Sequence, residues 1–295
     1  MDDCALFLQS QFPQLKIEYD YDFAKHSCIG CGGKAKFAVY PSDEEELAGL
    51  IAVFQKNGLP YVVLGNLSNV LPPENEYLKI PIITSRINRI DEKDGEIYVG
   101  AGTSSGKLLK FCKEKGLSGA EFLTGIPCCI GGATYMNAGV NGAYMQEIIS
   151  NVLVYADGEI GKLTAEECDF SYKKSLFMRK DAVVLGTYCK LRQSTSQLVI
   201  KRMEAYAFRR KNLPSGKSMG CIFKNPIGES AGRLIEGAGL KGLTLGGATI
   251  SEKHANFIIN QNGCKSNAIK TLISLIKERV QAEYDIVLQE EIVYI

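Results

Sequence analysis

Between Gly125 and Gly142 the chain reads Gly-Ile-Pro-Cys-Cys-Ile-Gly-Gly-Ala-Thr-Tyr-Met-Asn-Ala-Gly-Val-Asn-Gly. A run so rich in glycine lets the backbone come close to a ligand, because few side chains hold it off. The run lacks the Gly-x-Gly-x-x-Gly spacing that opens a dinucleotide-binding βαβ unit. It also lacks the phosphate-loop pattern of nucleoside triphosphatases. Both architectures are therefore disfavoured.

The elements before this run alternate helix, strand and turn. Ser42-Asp43-Glu44-Glu45 reads as a capping box. Leu47, Leu50, Ile51 and Phe54 follow at helical spacing, and Asn57-Gly58 stops the helix. Tyr61-Val62-Val63-Leu64 is a short apolar strand that runs into the turn Gly65-Asn66-Leu67-Ser68-Asn69. Backbone N–H groups in such a turn suit an anion, although a simple tight turn reads the same way. Ile97-Tyr98-Val99 leads into the turn Gly100-Ala101-Gly102, and a helix carrying Leu108, Leu109, Phe111 and Cys112 ends at Gly116.

The later elements follow the same periodicities. Val183-Val184-Leu185 and Tyr188-Cys189-Lys190-Leu191 read as strands, and residues 198–209 as a helix. Residues 230–239 read as a short helix and 257–260 as a strand. A last helix puts Ile269, Leu272, Ile273, Ile276 and Val280 on one buried face. Ile286-Val287-Leu288 and Ile292-Val293-Tyr294 read as a final strand pair around Gln289-Glu290-Glu291.

The chain's 295 residues are enough for two domains, with a boundary expected near Ser196. Lys and Arg total 34 against 33 Asp and Glu, so there is no electrostatic footprint for nucleic acid or an anionic membrane. The stretch from Met1 to Gln9 is acidic and its apolar run is short, so neither a secretory signal nor a membrane span is expected there. The 10 cysteines are then expected to be reduced, in a cytoplasm. Cys28 and Cys31 form a Cys-x-x-Cys with no second pair. The chain has only 2 histidines, His26 and His254, so no metal site is expected.

Chemistry-bearing side chains gather at Ser218-Met219-Gly220-Cys221-Ile222-Phe223-Lys224-Asn225-Pro226, which holds a thiol, an amine and an amide. Phe208-Arg209-Arg210-Lys211 upstream and Glu252-Lys253-His254 downstream add cations suited to an anionic ligand. Taken alone, the stretch also reads as an ordinary strand ending in a turn, with Cys221 a small buried hydrophobe.

Together these segments, in this order and over nearly the whole chain, resemble the UDP-N-acetylenolpyruvoylglucosamine reductases, flavoproteins of bacterial peptidoglycan precursor synthesis. Residues 29–35 resemble the family's first glycine motif, residues 65–69 its Gly-x-Gly-Ser-Asn loop, and residues 125–133 with 136–139 its long flavin loop. Residues 172–177, 231–236 and 251–260 also fall in place. The combination of Gly220-Cys221-Ile222-Phe223-Lys224-Asn225-Pro226 with Ser251-Glu252-Lys253-His254-Ala255-Asn256-Phe257 is the most specific part of the likeness.

The resemblance implies an α+β fold. A vanillyl-alcohol-oxidase-type FAD-binding region over residues 1–196, itself split near residue 90, precedes a substrate domain over 197–295. It implies FAD and NADPH as cofactors, a small UDP-sugar as substrate, and reduction of UDP-N-acetylenolpyruvoylglucosamine to UDP-N-acetylmuramate. Gly65, Asn66, Leu67, Ser68, Asn69, Gly125, Ile126, Pro127, Gly131, Gly132, Ala133 and Asn137 are its cofactor-binding candidates. Tyr172, Arg209, Lys224, Asn225 and Lys253 are its substrate-binding candidates, and Cys221, Glu291 and Lys173 its catalytic ones.

Hydride addition to C3 of an enolpyruvyl ether leaves charge on C2 and the carboxylate, which cations stabilise and a proton donor then discharges. Cys221 stands where the family commonly has a donor Ser. A thiol, with an ordinary pKa of about 8.5, is the stronger acid and is mostly protonated at neutral pH. Glu291 matches a catalytic Glu that hydrogen-bonds the enolate.

This sequence also departs from the family pattern. Lys173 replaces an Arg, with Lys174 as an alternative cation. Asn212 replaces a ligand-binding Lys near Arg209. Leu67 and Cys128 replace glycines, and a positive φ at either would cost roughly 1 kcal/mol or more. The departures at Leu67, Cys128 and Lys173 define an alternative: a flavin-deficient UDP-sugar-binding or regulatory protein.

Overall fold

A computed structural model describes residues 3–93, 95–261 and 263–295. The chain forms two compact units. The first comprises residues 1–19, 37–66 and 79–211, and the second comprises 20–36, 67–78 and 212–295. The continuous part of the second unit thus begins at Asn212, whereas the sequence suggested a boundary near Ser196. The reason lies in the helix Ser196–Arg210: Val199 is buried, and Met203 and Tyr206 pack on an apolar core of the first unit. The two short segments that join the second unit carry no shift of composition to mark them.

The first unit holds two cores. In one, the helix Glu44–Lys56 lays Leu47, Leu50, Ile51 and Phe54 against Val39 and Ile82. These belong to a sheet of Lys16–Asp22, Lys34–Tyr40, Ile80–Ile83 and Tyr61–Leu64 in that spatial order, with the last pair parallel. The helix is capped by Asp43, whose carboxylate accepts from Glu46 N–H at 2.8 Å, while Glu46 reaches back to Ser42 N–H at 2.6 Å. The cap therefore lies one residue later than the capping box read from Ser42, because Asp43 holds the extended backbone just ahead of the helix and its carboxylate reaches an open N–H of the first turn.

The other core packs on an antiparallel five-stranded sheet. Its order is Glu159–Thr164, Ile149–Ala156, Ala182–Cys189, Glu96–Gly100 and Ile90–Lys93. The two strands expected after Val183 are one continuous strand. The helix Ser105–Lys115 buries Leu108, Leu109 and Cys112 and ends at Gly116 with φ of 65°. Glu44 joins the two halves of this unit: it is 2% exposed, accepts from the Tyr98 hydroxyl, and pairs with Arg89 at 3.2 Å.

The second unit is built on the strands Thr244–Leu245, Ala248–Ile250 and Ile258–Asn260, all antiparallel, and on two helices, Ala231–Gly237 and Ser266–Tyr284. The long helix buries Ile269, Leu272, Ile273, Ile276 and Val280, the face its periodicity required. Ile29 and Leu71, from the two short segments, enter the same core as Ile222 and Phe223. The expected closing strand pair does not form. Residues 286–288 are not a strand, and Val293–Tyr294 pairs in parallel with Val70–Leu71. Among the described residues no helix is long and apolar enough to cross a membrane.

Candidate active site

In the first unit, the glycine-rich stretch is held mainly by its own backbone. Ser105 N–H donates to Cys128 O at 2.9 Å, Ile130 N–H to Thr103 O at 2.9 Å, and Gly131 N–H to Ala101 O at 2.8 Å. The last contact demands glycine: a Cβ on Gly131 would stand 2.7 Å from Ala101 Cβ and 3.0 Å from its carbonyl oxygen. Cys129 caps the short helix Ile130–Tyr135, its sulfur accepting from Gly132 N–H at 3.4 Å and from Asn66 N–H. Asn66 also donates from its side chain to Pro127 O at 3.5 Å. Gly65 and Asn66 are thereby joined to the 125–132 turn.

The outer face of this arrangement is poor in side chains. Asn66, Gly125, Pro127 and Gly132 are exposed, Ile126 is half-buried, and Gly131 and Ala133 are buried beneath them. The Arg210 side chain lies over Gly125, with Nε 3.0 Å from where a Cβ would stand. Exposed backbone beside a guanidinium fits the diphosphate of a dinucleotide-type cofactor. Arg209, the sequence's candidate for the substrate, is exposed; its neighbour Arg210 is the one turned to the loop. Adjacent helix residues point about 100° apart, so the choice depends on a rotation that residue order alone does not reveal.

Asn137, expected to bind cofactor, is fully buried with its amide engaged by the protein. It donates to Gln146 Oε1 at 2.6 Å and to Ser171 O at 2.8 Å, and accepts from Gln146 N–H at 3.0 Å. It thereby fixes the turn Ser171-Tyr172-Lys173-Lys174, closed by a pair of 3.1 Å backbone bonds between Ser171 and Lys174. Tyr172 is 43% exposed and meets Tyr144 edge-on. Lys173 takes a φ of 55° and donates to Gly139 O at 3.4 Å. Lys174 is exposed.

Leu67, Ser68 and Asn69 belong to the second unit. Leu67 is buried with a φ of 47°, the left-handed conformation that makes a side chain there costly. Cys128 is not among the residues with positive φ, so its replacement of glycine carries no such strain.

In the second unit, Cys221–Lys224 runs between two flanking segments. Cys221 bridges Phe257, Phe223 bridges Glu290, Glu291 N–H donates to Ile222 O at 2.8 Å, and Lys224 N–H donates to Gln289 O at 2.8 Å. Asn69 donates its side-chain N–H to Glu291 O at 2.9 Å. Cys221, Lys224, Glu291 and Asn69 are thus brought together through main-chain pairing. Cys221, Lys224 and Glu291 are half-buried, while Asn225 and Lys253 are exposed. The Asn225 side-chain Oδ1 accepts from Ala231 N–H at 3.0 Å.

One residue was missed by the sequence reading. Asn256, 2% exposed, accepts from Phe223 N–H at 2.9 Å and donates to Phe223 O at 2.8 Å. Its side-chain amide substitutes for a neighbouring strand and sets the register of the Cys221–Lys224 segment. Its place in the motif Ser251–Phe257 was the available signal, but no role was read from it. His254 supports it by accepting Asn256 N–H on Nδ1 at 3.2 Å, and burial holds the His254 pKa below its ordinary value.

Two family models match the chain. Residues 211–295 match the C-terminal domain of UDP-N-acetylenolpyruvoylglucosamine reductase, and residues 35–164 match an FAD binding domain. A reductase of that name from Heliobacterium modesticaldum is 38% identical, over 91% of this chain and 87% of its own. Another from Bacillus velezensis is 35% identical over 94% of this chain and 93% of its own. The crystal structure of UDP-N-acetylenolpyruvylglucosamine reductase from Thermus caldophilus superposes with a TM-score of 0.81 at 34% identity, covering 95% of this chain and 98% of that one. An alkyldihydroxyacetonephosphate synthase shares the fold at a TM-score of 0.50 and 16% identity, over 65% of this chain and 42% of its own.

Replacing Asn256 with Ala leaves the Phe223 N–H and C=O buried without partners. The expected loss is about 2–4 kcal/mol of unfolding free energy, measured by chemical denaturation. Wild-type stability in this variant would remove Asn256 from the role given to it.

Proposed function

This chain belongs to the UDP-N-acetylenolpyruvoylglucosamine reductase family, and on that premise we propose that it reduces UDP-N-acetylenolpyruvoylglucosamine to UDP-N-acetylmuramate at the expense of NADPH, in peptidoglycan precursor synthesis. The observation that carries the reading is the backbone clamp that holds Cys221, Lys224 and Glu291 in adjacent strand-like segments. It supports a site where a proton donor, a cation and a carboxyl group serve one small substrate.

FAD, when bound, supplies the hydride for the enolpyruvyl double bond. The residues assigned to hold it are the Gly65–Asn69 loop and Gly125, Ile126, Pro127, Gly131, Gly132 and Ala133, with Arg210 beside its diphosphate. Asn137 serves by positioning, since its amide is already engaged.

Cys221 gives a proton to C2 of the substrate once charge has developed there. Glu291 hydrogen-bonds that developing charge through its carboxyl group, and Lys173 is assigned to the substrate carboxylate. Lys224, Asn225, Lys253, Tyr172 and Arg209 are assigned to recognition of the anionic UDP-sugar.

Two variants separate these roles. In Cys221→Ala, NADPH bleaches the bound flavin at the wild-type rate, and turnover of the enolpyruvyl substrate falls by about 10²–10⁴-fold, read by stopped-flow absorbance. Normal turnover would show that Cys221 is not the donor. Arg210→Ala raises the Kd for FAD by about tenfold, read by fluorescence titration, because one charge-assisted contact is removed. An unchanged Kd would detach Arg210 from the diphosphate.

A further inference from the structure

The second unit contains a pair of thiols that the proposed reduction does not use. Cys31 is the second cysteine of the Cys-x-x-Cys, and Cys264 lies just before the long helix Ser266–Tyr284. Both belong to one buried cluster and line one cleft, and their interaction lowers the pKa of Cys31 while raising that of Cys264. The Cys31 sulfur also lies 3.5 Å from Ser266 Oγ, at the first residue of that 19-residue helix. The Ser266 hydroxyl adds to the stabilisation of the Cys31 thiolate, while burial and the Glu74 carboxylate oppose it.

Backbone and side-chain bonds fix both segments. Asn260 donates to Ile29 O at 2.9 Å and to Gly30 O at 3.0 Å, and accepts from Cys264 N–H at 2.9 Å. One buried amide therefore ties the Cys31 segment to the Cys264 segment. Both thiols are 3% exposed, yet both line a cleft of about 500 Å³ together with Gly30, Glu74 and Lys265. Glu74 pairs with Lys265 at 3.0 Å through one oxygen, and its other oxygen is buried without a hydrogen-bond partner. A small polar molecule entering the cleft would meet that oxygen beside the thiols. Among the described residues, no group of three or more His, Cys, Asp or Glu side chains is placed to hold a metal ion.

We propose that Cys31 and Cys264 form a thiol–disulfide exchange site that takes low-molecular-weight disulfides in this cleft. The Cys31 thiolate attacks one sulfur of the incoming R–S–S–R, forming a Cys31–S–S–R bond and releasing R–S⁻. The Cys264 thiol gives its proton to R–S⁻ and attacks the Cys31 sulfur, forming Cys31–S–S–Cys264 and releasing the second R group as a thiolate. Two protein thiols are oxidised, and one small disulfide is reduced to two thiols. Forming the bond brings the two sulfurs to the roughly 2 Å of a disulfide.

The roles follow from the surroundings. The interaction with Cys264 lowers the Cys31 pKa to about 7 against its burial, whereas the same interaction raises that of Cys264. Cys31 is thus the attacking group and Cys264 the resolving one. Burial pushes the Cys28 thiol up, so Cys28 is the poorer nucleophile of the Cys-x-x-Cys.

The test treats the whole chain, with FAD bound, with oxidised glutathione and maps its peptides without reduction. The expected product is lighter by two hydrogens and contains a Cys31–Cys264 cross-linked peptide. Cys264→Ser is expected to stop at a glutathione adduct on Cys31, and Cys31→Ser to leave Cys264 as a thiol. Iodoacetamide at neutral pH is expected to label Cys31 at least ~10-fold faster than Cys264. A Cys28–Cys31 cross-link, a wild type in which both thiols stay unreacted, or an unchanged rate at Cys264 in Cys31→Ser would each overturn the proposal. The wild-type map alone decides the matter if either variant fails to fold.

Discussion

The glycine-rich stretch assigned to the cofactor rests on one contact, the approach of the 128–131 backbone to residues 101–105. Three main-chain hydrogen bonds of 2.8–2.9 Å hold it, and Gly131 leaves only van der Waals room against Ala101. Because the stretch is anchored by backbone, its outer surface is free to be backbone as well. That is why Asn66, Gly125, Pro127 and Gly132 form an exposed surface with few side chains, with Arg210 at its margin. A cofactor diphosphate is recognised by N–H groups and cations, and bulky side chains on this face would only obstruct it.

The second unit solves a related problem by other means. Its reactive segment, Cys221–Lys224, has a neighbour on each side but no full strand partner. Asn256 supplies the missing hydrogen bonds through its side chain. A buried amide paired on both ends is rigid and specifies one register, as fully satisfied buried polar groups do. The same device recurs at Asn260, which joins the two cysteine-bearing segments. Asn137 plays an equivalent part in the first unit, fixing the turn that carries Tyr172 and Lys173. Three buried Asn side chains thus do structural work at the points where loops must hold chemistry in place.

Much of this was legible in the sequence. The helix faces at Leu47–Phe54 and Ile269–Val280 follow from period alone, and the motif order led to the family. The missing glycines at Leu67 and Cys128 raised the question of a positive φ at either, and the backbone adopts one at Leu67 alone of the two. What escaped were relations between distant segments. Residues 20–36 and 67–78 join the second unit with no compositional mark. Residues 286–288 are apolar enough for a strand but find no partner to pair with. Arg210, to which no role was given, faces the loop through helix rotation, and Cys31 and Cys264 share one cleft through tertiary folding. Local pattern reports which residues are buried, while pairing across the chain decides which of them meet.

The central claim is that this chain is a working flavin reductase despite Leu67 and Cys128. The most direct measurement is the visible spectrum of the protein after incubation with FAD and removal of the excess. A flavin band that bleaches with NADPH and returns when UDP-N-acetylenolpyruvoylglucosamine is added is the predicted result. A colourless protein that still binds the UDP-sugar would contradict the account and establish a binding protein in its place.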